Sequence, residues 1–170
     1  YDFDNTTKQA LAFYSSAVGP FSYEKLANIQ SNSVSGGMEA ASAILYSENS
    51  VVGDRNVRWR NVVIHEIAHQ WFGNSVTEKD WDEIWLSEGF ATYFTLLFIE
   101  HQYGRDEFLE GLRSSKKSVD AFYIKNPGYR LVHDNLKDMK DVTTSQIYQK
   151  GSWTLHMLRG VVGTENFWKG

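Results

Sequence analysis

Apolar residues recur at helical spacing in several stretches of the chain, separated by short runs that lack the period. From Asn5 to Val18 the set Ala10, Leu11, Phe13, Tyr14 and Val18 predicts one helix, stopped by Gly19-Pro20. Residues 28–46 lose the period and offer two strand candidates, Asn28 to Val34 and Ala43 to Ser47, on either side of the Gly36-Gly37 break. A second helix is expected from Asp54, as N-cap, to about Phe72, with Val63, Ile67 and Trp71 spaced four apart and Gly73-Asn74 as its end. After a polar turn at Thr77 to Asp80, Ser87 is the expected cap of a third helix through Tyr103, closed by Gly104. Its densest part, Phe94 to Ile99, reads as buried. A fourth helix, about Asp106 to Tyr123, sets Phe108, Leu112, Val119 and Phe122 on one side and breaks at Asn126-Pro127-Gly128. The charged stretch from Asp134 to Asp141 reads as a loop, and Thr143-x-x-Gln146 as a capping box opening a last long helix to about Val162. The fold class is α+β, mostly α: a small strand region followed by mostly helices.

Composition narrows the function classes. The chain has 170 residues, about one domain, with 42% hydrophobic and 15% aromatic residues for a core. A formal charge of −4 without a recurrent basic patch gives no footprint for nucleic acid. The absence of cysteine removes disulfides, thiolate nucleophiles and cysteine-based zinc sites together. No run approaches the ~20 apolar residues of a membrane-spanning helix. Nothing indicates a compartment. The chain starts at Tyr1 rather than Met, and Thr164 caps a new helix (Glu165, Phe167, Trp168) shortly before Gly170, so a fragment truncated at both ends is expected.

The chemistry lies in His65-Glu66-Ile67-Ala68-His69, inside the second helix. Residues four apart share a helix face, so two imidazoles can converge on one Zn²⁺. Glu66, one position after His65, flanks the metal without being forced to bind it, which suits a general base acting on water. A catalytic zinc wants a third protein ligand and one open position. Glu88, after a gap of eighteen residues beyond His69 and early in the next helix, is the candidate. A shuffled chain of this composition would contain the five-residue pattern only about once in a hundred, so metal ligation is preferred over a solvated pair of surface histidines. His101, His133 and His156 match no partner spacing and read as structural or surface groups; Trp81-Asp82-Glu83 reads as a solvated turn.

HEIAHQWFGN, followed after that gap by the Glu of WLSEGFA, resembles the M1 family of zinc aminopeptidases, a gluzincin family. Pro20 to Leu26 resembles the segment ahead of that family's substrate loop, Gly36-Gly37-Met38-Glu39 its G-x-M-E-N motif, and Tyr148-Gln149-Lys150-Gly151 its catalytic-tyrosine segment. Order and spacing agree from about residue 20 to 155. The resemblance implies a thermolysin-like zinc peptidase catalytic domain, with flanking N-terminal β-rich and C-terminal helical domains absent here. It implies one Zn²⁺ per chain on His65, His69 and Glu88, with Glu66 and Tyr148 catalytic. Gly36, Gly37 and Met38 would line the peptide, and Glu39 would bind the free α-ammonium of a peptide substrate. These roles make physical sense: a carboxylate beside the metal selects a terminal amine, paired glycines allow close backbone approach, and a phenol stabilises a developing oxyanion.

Two departures stand out. Ala40 replaces the usual Asn after Glu39, removing an amide that would bear on loop orientation and side-chain preference. Ser87 replaces a frequent Asn before Glu88, and as a good capping residue it is expected to do little harm. The reading is a zinc aminopeptidase acting through metal-activated water. The alternatives are a zinc endopeptidase of the same fold, a family member with epoxide-hydrolase activity, and a catalytically dead peptidase-like module used for binding.

Overall fold

The computed structural model describes residues 3–50, 52–53, 56–133 and 138–170. It divides into two compact units, Tyr1–Val76 and Thr77–Gly170.

In the first unit, helix α1 (Asp4–Ala17) buries Ala10 and Tyr14 and packs on helix α2 (Val57–Ala68), which returns Val63, Ile64 and Ile67. Three strands lie between them in sequence: β1 (Ala27–Ser31), β2 (Gly37–Met38) and β3 (Ala43–Ser47). The sheet order is β1-β3-β2, with β1 parallel and β2 antiparallel to β3. Ile44 and Tyr46 are wholly buried on the central strand β3, and β2 is the edge that meets α2.

Helix α2 differs from its expected bounds at both ends. Asn56 is its N-cap, its side chain accepting from Arg58 N at 2.9 Å; the expected cap, Asp54, lies outside the described residues. The helix ends at Ala68, well before Gly73. Gln70 N and Trp71 N bond three residues back, to Ile67 O and Ala68 O, which tightens the last turn. Gly73 then takes φ +118°, and the chain folds back so that Gly73 N bonds Val76 O at 2.8 Å. Only glycine adopts that backbone readily, so the Gly73-Asn74 signal marks the reversal and not the helix end.

The second unit is helical. Helix α3 (Ile84–Tyr103) is apolar on all sides, as expected of a helix covered by neighbours, here α4 (Arg105–Lys125) and α6 (Ser145–Val162). Ser87 does not cap it. A 3₁₀ turn at Trp81–Glu83 leads directly into Ile84, so Ser87 is buried one turn inside the helix. Trp81 is exposed as a turn residue should be, but Asp82 is partly buried, and its Oδ1 is sheltered with no hydrogen-bond partner among the described residues.

The start of α6 is shifted by one residue from expectation. Thr144 is the cap, accepting from Gln146 N, whereas Thr143 Oγ1 donates back to Met139 O at 2.7 Å. Thr143 follows a short helix, α5 (Met139–Val142), which overlaps the end of the stretch expected to be loop. Helix α7 (Thr164–Lys169) starts at Thr164 rather than being capped by it: Thr164 Oγ1 accepts from Arg159 Nε at 3.2 Å. No helix among the described residues is long and apolar enough to cross a membrane.

Candidate metal and peptide site

His65 lies in the last turn of α2 and His69 is the C-cap residue just beyond it, where Ile67 and Ala68 are both fully buried and fix the helix rotation. Their Nε2 atoms stand 3.0 Å apart. His69 is 1% exposed, and its Nδ1 lies 2.9 Å from the Phe72 carbonyl. A carbonyl only accepts, so Nδ1 carries the proton and the Nε2 lone pair faces His65. Two nitrogens held at about 2.0–2.1 Å from one Zn²⁺ would be roughly 3.0–3.4 Å apart, so the pair fits a shared metal. The early end of α2 matters here, because the turn beyond Ala68 brings the Phe72 carbonyl under the His69 ring.

Glu66 is 6% exposed and faces the edge strand. A Cβ placed on Gly37 would overlap the Glu66 carboxyl. Gly37 thus supplies a close approach to Glu66, distinct from the approach to a peptide expected of the glycine pair; a Cβ on Gly36 would meet nothing within 4 Å. Tyr46 is the cross-strand partner of Gly37. Directly opposed residues share a sheet face, so the Tyr46 ring extends on the side occupied by Glu66. Its hydroxyl is buried without a hydrogen-bond partner among the described residues. Burial pushes the Tyr46 phenol well above its ordinary range, and the charge of Glu66 pushes it the same way. The general-base candidate therefore sits in a closed corner walled by Gly37 backbone and near the Tyr46 ring.

Glu39 follows β2 and is partly buried, while Met38 is 45% exposed. The backbone around Glu39 is held by two residues to which the sequence reading gave no role. Asn74 Nδ2 donates to Glu39 O at 2.6 Å and Gln70 Nε2 donates to the same oxygen at 3.3 Å. Gln70 Oε1 accepts from Ser42 N at 2.9 Å, and Ser42 itself holds φ +61°. Amides from the stretch after His69 thereby fix the loop that Ala40, without an amide of its own, does not. Both partners are backbone atoms, which leave no mark in a sequence pattern; the one available signal was that Gln70 and Asn74 lie inside the histidine motif.

The segment Pro20 to Leu26 is fixed by Trp71. The indole donates to Gly19 O at 2.8 Å and packs against Phe21, while Ser75 Oγ and Ser22 Oγ are 2.9 Å apart.

In the second unit, Glu88 lies in the second turn of α3 and is 9% exposed. Tyr148 lies in the first turn of α6, partly buried against Ile84, Val142 and Ile147. Of the three histidines read as structural or surface groups, His101 is exposed and His133 is partly buried. His156 Nδ1 and the Tyr93 hydroxyl are hydrogen-bonded at 3.1 Å. Burial lowers the His156 pKa, and the cations Arg159 and Arg105 lower it further, which favours the neutral ring.

Comparison with known proteins places this arrangement in a class. The whole chain, residues 1–170, matches the peptidase family M1 domain, and the chain belongs to that family. It is 30% identical to probable aminopeptidase 1 of Saccharolobus solfataricus, over 98% of this chain and 23% of that protein. Among solved structures it resembles the M1 zinc metallopeptidase from Deinococcus radiodurans, with 28% identity and a TM-score of 0.72 over 98% of this chain and 34% of that one. Native yeast LTA4 hydrolase gives 26% identity and a TM-score of 0.80 over 95% of this chain and 27% of that one. The α+β, mostly helical, thermolysin-like fold expected from the sequence is borne out. The chain spans less than a quarter of the length of the curated relatives it matches.

Proposed function

We propose that this chain carries the reaction centre of a zinc aminopeptidase that hydrolyses N-terminal residues from peptides. The observation that carries the reading is the imidazole pair: two Nε2 atoms 3.0 Å apart, one ring oriented by a backbone carbonyl, with the buried Glu66 carboxylate between them in sequence. His65, His69 and Glu88 each offer one ligand atom, and two imidazoles with one carboxylate are the donor set of a catalytic zinc with an open position. Bound there, Zn²⁺ would supply Lewis acidity to water and to the scissile carbonyl.

The remaining work falls to side chains. Glu66 takes a proton from the attacking water and delivers it to the departing amine. The Tyr148 phenol donates a hydrogen bond to the oxygen that gains charge in the tetrahedral state. Glu39 accepts from the substrate α-ammonium, so blocked and internal peptides lack the contact that orients them. Gly36, Gly37 and Met38 lie alongside the peptide backbone. Domains flanking this chain in a longer parent protein would complete the pocket for the first side chain.

The test uses the full-length parent protein and one peptide supplied free and N-acetylated, with products followed by mass spectrometry. Stepwise loss of first residues from the free form alone, abolished by chelator, is the expected result. Internal cleavage of both forms would keep the metal site, discard the Glu39 role and make the enzyme an endopeptidase.

A further inference from the structure

Two glycines next to the proposed site residues have no role in the chemistry above. Gly89 follows Glu88 on α3, and Gly151 lies one turn beyond Tyr148 on α6. Both are in helix interiors, where glycine costs about 1 kcal/mol relative to alanine. They face each other across the α3–α6 crossing. A Cβ on Gly89 would lie 2.9 Å from Gly151 Cα, 3.0 Å from its carbonyl carbon and 3.3 Å from Ile147 O. A Cβ on Gly151 would lie 2.9 Å from Gly89 Cα and 3.3 Å from Trp85 O.

Every obstructing atom is backbone, so no side-chain rotation can relieve the contact. Gly111 makes the contrast: a Cβ there would meet only Leu96 side-chain atoms, which can turn away. Adding one methyl at either crossing position must therefore move one helix against the other. Ordinary packing needs no such approach, since helices settle 8–10 Å apart on normal side chains. Two alanines would give both helices better intrinsic stability at that distance.

We propose that Gly89 and Gly151 are positioning residues: their backbone contact sets the separation of Glu88 and Tyr148, and thereby where the phenol stands relative to the metal ligand. The proposal rests on the roles given above to Glu88 and Tyr148. It explains why each residue is accompanied by a glycine in its own motif, Glu88-Gly89 and Tyr148-x-x-Gly151.

The test compares Gly151→Ala, Gly89→Ala, Gly160→Ala, Tyr148→Phe and the double variant Gly151→Ala/Tyr148→Phe in the full-length parent protein. Gly160 lies on the same helix with nothing within 4 Å of an added Cβ and is the control. Gly151→Ala and Gly89→Ala are expected to stay folded with one zinc per chain and to lose roughly 10–100-fold in kcat, as misplacing a reacting group by part of an ångström does, with little change in KM. Gly160→Ala should match wild type. In the Tyr148→Phe background, Gly151→Ala should cost less than about threefold more, because the phenol it positions is already gone. Wild-type turnover in Gly151→Ala, a full additive loss in the double variant, or failure of both crossing variants to fold would each overturn the proposal in favour of plain packing. A Tyr148→Phe enzyme at wild-type rate would instead remove the role of Tyr148 itself, and the positioning proposal with it; a slow Tyr148→Phe beside a fast Gly151→Ala overturns the positioning alone.

Discussion

Replacing Glu66 with glutamine is expected to leave zinc bound and to lower kcat by about 10²–10⁴-fold, the range for loss of a positioned general base. The substitution preserves shape, which matters because the Glu66 carboxyl is seated against Gly37 in a buried corner. Glutamine fills that volume, so the loss reports the missing proton acceptor and not a cavity. His65 and His69 are untouched, and Glu66 is not among the proposed ligands, so metal content should not fall. Parallel measurements of zinc and kcat on the full-length parent protein check both halves. A near-normal rate would remove Glu66 from the mechanism.

The second large effect is expected at a residue with no functional group. Gly37→Ala should lower kcat by about 10²-fold, again with zinc retained, because a displacement near 1 Å at a reacting group costs about that much. The new methyl would occupy the space of the Glu66 carboxyl. Gly37 does not adopt the left-handed backbone that excludes alanine, so the cost is steric and directed at one neighbour. Glu66 is buried and has little room to retreat, and Tyr46, paired opposite Gly37, lies on the same face. Gly160→Ala, outside the proposed site, is the comparison, since its Cβ meets nothing within 4 Å. Steady-state kinetics on the two variants check it: equal rates for both would mean that Glu66 relaxes freely and that the close approach is unimportant.

The parts of the molecule legible in the sequence are those set by periodic burial or by side-chain chemistry. Helix α3 follows from its apolar run, α4 from Phe108 and Leu112 on one side, and the paired imidazoles from the spacing of His65 and His69. The α+β class follows from the loss of helical period between residues 28 and 46. Features set by the backbone were not legible. Strand β2 is two residues long and is defined only by its pairing with β3. The capping signals at Ser87 and Thr143 were real propensities overruled by neighbouring turns, a 3₁₀ turn before Ile84 and the short helix α5. Gln70 and Asn74 leave no mark in the sequence pattern because they hold Glu39 and Ser42 through main-chain atoms. The glycine pair predicts close backbone approach to a peptide, whereas the side chain that Gly37 makes room for is Glu66.

The central claim is that the imidazoles of His65 and His69 hold a zinc ion, and its most direct test is metal content by elemental analysis of the full-length parent protein and its His69→Ala variant. One zinc per chain in the parent and less than about a tenth of that in the variant is the predicted result, since a three-ligand catalytic site does not survive loss of a ligand oriented as His69 is. Equal zinc in both proteins would place the metal elsewhere and contradict the account.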